Sequence, residues 1–275
     1  MKLIAILRIK DSITGLQIIN DCLKNLSVLV DEIVIVDNGS SPKAFSLYKK
    51  YPKITVVRKT HGFDEGKDRN LALNLARSRF ANWILWIDAD EVFERTVTRK
   101  DLEIYMNDNS LNKVNFRLFH FWLQTEKFRI DNRWLYYTSR PVHMMWRDLG
   151  TAYFKDTKFH GGYIAGVEGK ETTSIFRLKH LGYISRANVL AKSLMYSRIG
   201  KKETSSAKKT LSLDPKENTT LVPFREFKYD SYYRLYLHLE KVRWDIIEKF
   251  EGIGIYIRKK FGCDYIAGIL RKLPY

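Results

Sequence analysis

Cysteine is nearly absent from this chain: only Cys22 and Cys263 occur in 275 residues, far apart. Two thiols so separated make neither a metal knuckle nor a disulfide framework, which argues for a reducing compartment. Long hydrophobic runs are also missing. No stretch reaches the roughly 18 uninterrupted apolar residues of a spanning helix. The first residues open directly into strand-like sequence with no cleavable signal pattern, so the expected location is the cytoplasm. No internal repeat or low-complexity segment is visible. Acidic residues are scarce beside basic ones, 31 Asp and Glu against 48 Lys and Arg, giving a net charge of +17. That imbalance implies anionic partners: nucleotide phosphates, a lipid surface or nucleic acid. It is uneven, since residues 186–275 carry 19 basic against 10 acidic side chains, or +9.

What the chain does have is enough apolar matter for a sizeable core, 45% hydrophobic and 13% aromatic residues, which excludes a disordered protein. Apolar runs that read as buried strands, at Lys2–Leu7, Glu32–Val36 and Ile54–Val57, alternate with helical spacing over Ser12–Leu29 and Ala44–Tyr51. Short links between such elements predict a mostly parallel sheet covered by helices on both faces. Val114–Phe121 alternates like a further strand, as does Ser174–Lys179, and from Ser185 the sequence turns helical. Residues 122–160 are irregular and rich in Trp, Tyr, Arg and His. Lys201–Asn218, polar and basic, reads as a linker or loop.

The stretch that concentrates chemistry is Trp83-Ile84-Leu85-Trp86-Ile87-Asp88-Ala89-Asp90-Glu91. A buried strand ends there in three carboxylates, where open α/β sheets bind ligands. Strand alternation sends Asp88 and Asp90 to the same side. Two carboxylates so placed repel unless a cation or hydrogen-bond donors intervene, and Mg²⁺ or Mn²⁺ meets that need with hard oxygen ligands. The plainer alternative is a solvated acidic turn. Upstream, Phe63–Asn70 precedes an apolar helical face at Leu71, Ala72, Leu75 and Ala76. Gly66, Lys67 and Arg69 thus fall near a helix start, where N–H groups and the dipole favour an anion; an ordinary solvated cap is the alternative.

Taken together, Ile35-Val36-Asp37-Asn38-Gly39-Ser40-Ser41, Gly66–Asn70, Asp88-Ala89-Asp90-Glu91 and Lys179-His180-Leu181-Gly182-Tyr183 resemble, in order and spacing, the family 2 glycosyltransferases of the GT-A fold. The resemblance covers residues 1–185 and implies a GT-A nucleotide-sugar-binding and catalytic domain there, with 186–275 a basic, mainly helical C-terminal extension. It implies a Rossmann-like, mixed, mostly parallel sheet flanked by helices. It further implies that Asp37 contacts the base or ribose, that Arg69 with Lys67 faces the nucleotide phosphates, and that Asp88 touches ribose or metal-bound water. Asp90 becomes the direct ligand of Mn²⁺ or Mg²⁺, and His180 completes the metal–diphosphate site. Two departures stand out. Arg8-Ile9-Lys10-Asp11 replaces the family's Asn-Glu pair after a proline, and His160-Gly161 stands where many relatives have His-Glu.

The implied reaction moves a sugar from a nucleotide-diphosphate-sugar to an acceptor hydroxyl with inversion, as in enzymes that build surface glycans on polysaccharide, lipid or protein acceptors. A general base must take the acceptor proton. Asp148, Asp156 and His160 are the candidates, Asp148 being favoured as a carboxylate between aromatic-rich segments. The alternatives are a sugar nucleotidyltransferase, a phosphotransferase using the same acidic motif, and a non-enzymatic anionic-ligand binder. Nucleic acid is not an expected partner, because it explains the charge but not the ordered motifs. In the tail, Trp244, Ile247, Phe250, Ile253, Ile257, Phe261 and Ile269 alternate with basic residues. That pattern fits an amphipathic segment on an anionic membrane or a helix packed on the core.

Overall fold

A computed structural model describes residues 1–59, 64–130, 138, 141, 143–155, 164–198, 221–226 and 231–261. Its centre is an eight-stranded sheet made of β1 (Leu3–Ile9), β2 (Glu32–Asp37), β3 (Ile54–Arg58), β4 (Trp83–Trp86), β5 (Glu91–Phe93), β6 (Leu111–His120), β8 (His143–Arg147) and β11 (Lys170–His180). Two short pairs complete the strands among the described residues: β7 (Lys127–Arg129) with β12 (Leu221–Pro223), and β9 (Tyr153–Phe154) with β10 (Ile164–Ala165). The sheet order is β3-β2-β1-β4-β8-β6-β11-β5. Its first four strands are parallel, as are β6 and β11, whereas β8 runs against both neighbours and β5 against β11. This is the mixed, mostly parallel sheet that the resemblance implied.

Strand alternation divides the core in two. Leu3, Ala5 and Leu7 of β1, with Ile33, Ile35, Trp83 and Leu85, face one side. Ile4, Ile6, Val34, Val36, Ile84 and Trp86 face the other. Both faces are apolar because both are covered, so these strands read as continuous runs. The first side is covered by α2 (Leu16–Leu29), α3 (Pro42–Tyr48) and α5 (Arg99–Met106), the second by α4 (Glu65–Ser78) through Ala72, Leu73 and Ala76. The single helix expected over Ser12–Leu29 is two. Gly15, with φ +87°, separates α1 (Asp11–Thr14) from α2, a backbone state that costs glycine little.

Beyond the sheet lie α6 (Arg186–Arg198) and α7 (Ser231–Phe261). Tyr233, Leu237, Trp244 and Ile247 of α7 are buried in the same cluster as β6 and β11. The tail helix therefore packs on the core along one face. A buried ionic network fastens it: Arg177 of β11 contacts Glu94 (2.7 Å), Glu240 (2.7 Å) and Tyr233 Oη (2.8 Å), and Arg117 of β6 pairs with Asp245 and Glu248. Burial would lower the Arg177 guanidinium, but the Glu94 and Glu240 charges outweigh it and raise the pKa. Removing one partner of a buried pair strands the other without compensation. Arg177→Met should thus destabilise the fold by about 3–5 kcal/mol, read as a lower denaturant midpoint at unchanged m-value.

Candidate active site

β4 stops at Trp86, two residues short of Asp88. The chain then turns, with Glu91 N–H donating to the Asp88 carbonyl (3.0 Å), and re-enters the sheet as β5. The expected alternation therefore ends before the motif, and its carboxylates part company. Asp88 reaches Arg69 Nη2 of α4 at 3.3 Å. Asp90 turns instead toward His180, its Oδ2 lying 3.4 Å from His180 Nε2. Strand register explains this meeting: β5 pairs with β11 so that Glu91 lies opposite His180, and Leu181 N–H ties to the Asp90 carbonyl at 2.7 Å. Glu91 is buried and accepts from Asp88 N–H at 2.8 Å.

Asp90, Glu91 and His180 each offer one ligand atom, all within 4.8 Å of one another. Two carboxylate oxygens and an imidazole nitrogen form a donor set that fits Mn²⁺ or Mg²⁺. Two further residues, which the sequence reading did not single out, belong here. His120 ends β6 beside His180 in parallel register, their Nδ1 atoms 3.1 Å apart. That contact directs His180 Nε2 at Asp90. Lys192 of α6 places its Nζ 2.5 Å from Asp90 Oδ2 and 3.1 Å from His180 Nε2. Burial alone would raise the Asp90 carboxyl, but the Lys192 and His180 charges prevail and hold it well below the usual carboxylate range.

The neighbouring donors and acceptors sort themselves by what they already hold. Arg69 bonds Glu65 Oε1 at 2.7 Å and lies 4.3 Å from the centre of the Trp86 ring, while Arg8 approaches the same Glu65 oxygen at 3.9 Å. Burial, then Arg69, lowers the Arg8 guanidinium against the opposing carboxylates. Asp68 is engaged by Lys59 and by Asn38 Nδ2 (2.9 Å). The start of α4 carries its own anion: Asp64 caps Lys67 N–H at 3.1 Å and pairs with Lys67 Nζ at 3.4 Å. Lys67 is exposed and Arg69 is buried. Asp88, its side chain 38% exposed, is the carboxylate of this group open to solvent.

Three expectations need comment. Asp37 was to face the nucleotide, but it is fully buried. One oxygen accepts from Gly39 N–H (3.0 Å) and Ser40 N–H (2.8 Å), the other from Tyr48 Oη (2.8 Å). Asp37 shapes the turn after β2, an Asx arrangement. Asp148 was the favoured base, yet it follows antiparallel β8, and its N–H bonds Asn82 before β4 begins. Six residues of extended chain, about 20 Å at roughly 3.3 Å each, separate that end of the sheet from Asp88. Arg77 grips Asp148 with two 2.8 Å bonds, so it is a structural anchor. Asp156 and His160 lie outside the described residues.

A mixed sheet with an acidic turn at the carboxyl end of its fourth strand defines a GT-A chain. The sequence profile of glycosyl transferase family 2 matches residues 16–154, and the chain belongs to that family. Membership sets aside the nucleotidyltransferase, phosphotransferase and simple binder alternatives. No curated protein sequence matches. Among solved structures the chain is similar to Staphylococcus aureus TarS residues 1–349 (16% identity, TM-score 0.44, covering 77% of this chain and 69% of that one). It is similar also to the longer S. aureus TarS (16%, 0.45, 77% and 42%), of which it spans less than half. A third is the mannosyltransferase PcManGT from Pyrobaculum calidifontis in complex with GDP-Man and Mn²⁺ (13%, 0.44, 98% and 78%).

The anchoring role of Asp148 is directly testable. Asp148→Asn should lower stability by about 1–3 kcal/mol, the cost of leaving the half-buried Arg77 guanidinium short of its acceptor. Nucleoside-diphosphate binding, measured by calorimetry, should be unchanged. Normal stability with weakened binding would return Asp148 to the site.

Proposed function

We infer that this chain transfers a sugar from a nucleoside-diphosphate sugar to an acceptor hydroxyl, with inversion at the anomeric carbon. The observation that carries the reading is the buried Asp90–Glu91–His180 group at the carboxyl end of the sheet in a family 2 chain. Asp90 and His180, with Glu91, would hold Mn²⁺ or Mg²⁺, which when bound neutralises charge on the departing diphosphate. Asp88 is accessible and fixed by Arg69, so it is placed to meet a ribose hydroxyl. Arg69 and Arg8 bring positive charge to the same end of the sheet, where phosphate charge would collect. His120 holds the His180 ring in one orientation. Inversion calls for a base on the opposite side of the sugar from the diphosphate, and Asp156 or His160 would supply it.

Loss of Asp90 tests this reading. Asp90→Asn should cut transfer by roughly 100-fold or more, the scale of losing one electrostatic contact to developing charge, while the fold survives. EDTA should mimic the variant when a panel of nucleotide sugars is assayed with Mn²⁺ or Mg²⁺. Undiminished transfer in EDTA would sink the metal assignment.

Residues 186–275 act, in this proposal, as an extension that brings the enzyme to a membrane-proximal glycan or glycolipid acceptor. No described helix is long and apolar enough to cross a membrane. However, α7 has two apolar faces. Opposite the face packed on the core, Leu235, Leu239, Val242, Ile246 and Phe250 form a stripe at helical spacing, 46–61% exposed. An apolar stripe on a basic segment suits an anionic bilayer surface, each nearby Lys or Arg adding about 1 kcal/mol. Sedimentation with anionic vesicles should show salt-sensitive binding of the full chain. The double variant Leu239→Glu/Ile246→Glu should abolish it at unchanged melting temperature. If the full chain ignores anionic vesicles, the stripe does not serve a membrane.

A further inference from the structure

Lys192 puts an ammonium on the same atoms that the proposed function assigns to a divalent cation. Its Nζ contacts Asp90 Oδ2 (2.5 Å) and His180 Nε2 (3.1 Å) and lies 4.6 Å from the centre of the Tyr183 ring. The side chain is only 11% exposed. A buried ammonium is costly unless it is paired and hydrogen-bonded, and here a carboxylate, an imidazole nitrogen and an aromatic face surround it. Gly182 closes over this arrangement, for a Cβ there would collide with both Lys192 Nζ and Asp90 Oδ2. The helix that carries Lys192 is itself fixed. Val189 is buried, and Asn188 Nδ2 donates to the Thr14 carbonyl at 3.0 Å.

An ammonium and a divalent cation cannot both occupy the space between Asp90 Oδ2 and His180 Nε2, because two like charges at contact repel strongly with little water to screen them. We propose that Lys192 is a tethered cation that guards Asp90 and His180, and that it couples divalent-cation binding to diphosphate binding. The argument rests on the reading of this site as a metal–diphosphate site. When the cation takes Asp90, the displaced ammonium needs another anion, and an incoming diphosphate supplies one. Cation and diphosphate thus bind better together than apart, a coupling free energy that works equally in both directions. The chain would hold little metal between turnovers and would assemble the charged site only around a donor.

The experiment measures Mn²⁺ affinity of the full chain by electron paramagnetic resonance, with and without inorganic pyrophosphate as the probe. For the wild type, weak Mn²⁺ binding alone and at least tenfold tighter binding with saturating pyrophosphate are expected. Lys192→Met removes the competitor, so Mn²⁺ alone should bind at least tenfold more tightly than to the wild type, and the gain from pyrophosphate should shrink. Thermal melting checks the fold; should the Met variant fail to fold, Lys192→Gln, which retains a hydrogen-bond donor to Asp90, takes its place with the same expectation. Mn²⁺ affinity unchanged or weaker in the variant overturns the coupling while leaving the metal site standing. Absence of Mn²⁺ binding in both wild type and variant, with and without pyrophosphate, overturns the metal reading and the coupling together.

Discussion

The structure depends most on compensating negative charge buried at one end of a sheet. Asp37, Glu65, Asp68, Asp90 and Glu91 are all buried there, each a group that costs several kcal/mol to take from water unless paired. Each has found a different partner. Asp37 takes two backbone N–H groups and a tyrosine hydroxyl, Asp68 a lysine and an asparagine, Glu65 an arginine, and Glu91 the backbone of its own turn. Asp37, Asp68 and Glu65 thereby hold their turns in place. The groups at this end that could meet a ligand are Asp88, with its exposed side chain, and the Asp90–Glu91–His180 group, where the Lys192 ammonium stands as counter-charge. The chemistry of the site follows from which carboxylates are already satisfied.

A second set of buried charges, on the other side of β11, keeps that arrangement in register. Arg177 stands three residues before His180 on the same strand and is held by Glu94, Glu240 and Tyr233. Its guanidinium also lies 4.0 Å from the centre of the Phe224 ring. Glu94 follows β5 directly, and its N–H donates to the Arg177 carbonyl at 3.2 Å. The β5–β11 pairing that brings Asp90 to His180 is thus clamped from behind by a network to which α7 contributes. Packing of the tail helix and the Asp90–His180 contact are linked through one short edge strand.

Much of this was legible before the fold. Two-sided burial gives β1, β2 and β4 continuous apolar runs, and the order of four short motifs pointed to the family, with Asp90 and His180 among their residues. The rest was hidden for separate reasons. Asp148 was judged by its neighbours in sequence, but which end of the sheet a residue reaches depends on strand direction, and β8 is antiparallel. The turn that buries Asp37 does have a local signal, since an Asp followed at two and three residues by Gly39 and Ser40 favours an Asx turn. His120 carried none, since its place beside His180 arises only from pairing across 60 residues. The tail was ambiguous because one helix has apolar residues on two opposite faces, and periodicity cannot say which one the core will take.

The family match and the site do not end at the same residue. Residues 16–154 carry the match and supply Arg69, Asp88, Asp90 and Glu91, the groups that would meet the nucleotide and anchor a cation. His180 and Lys192, whose ammonium gives Asp90 its counter-charge, come later in the chain. A chain ended at 185 would keep the histidine and lose the ammonium, leaving Asp90 buried with a much poorer partner. Such a carboxylate relaxes by taking up a proton or by opening the turn around it, and either response degrades the place where a cation would bind. The division at 185 therefore marks where the resemblance stops, whereas the electrostatic unit of the site runs on through the second turn of α6.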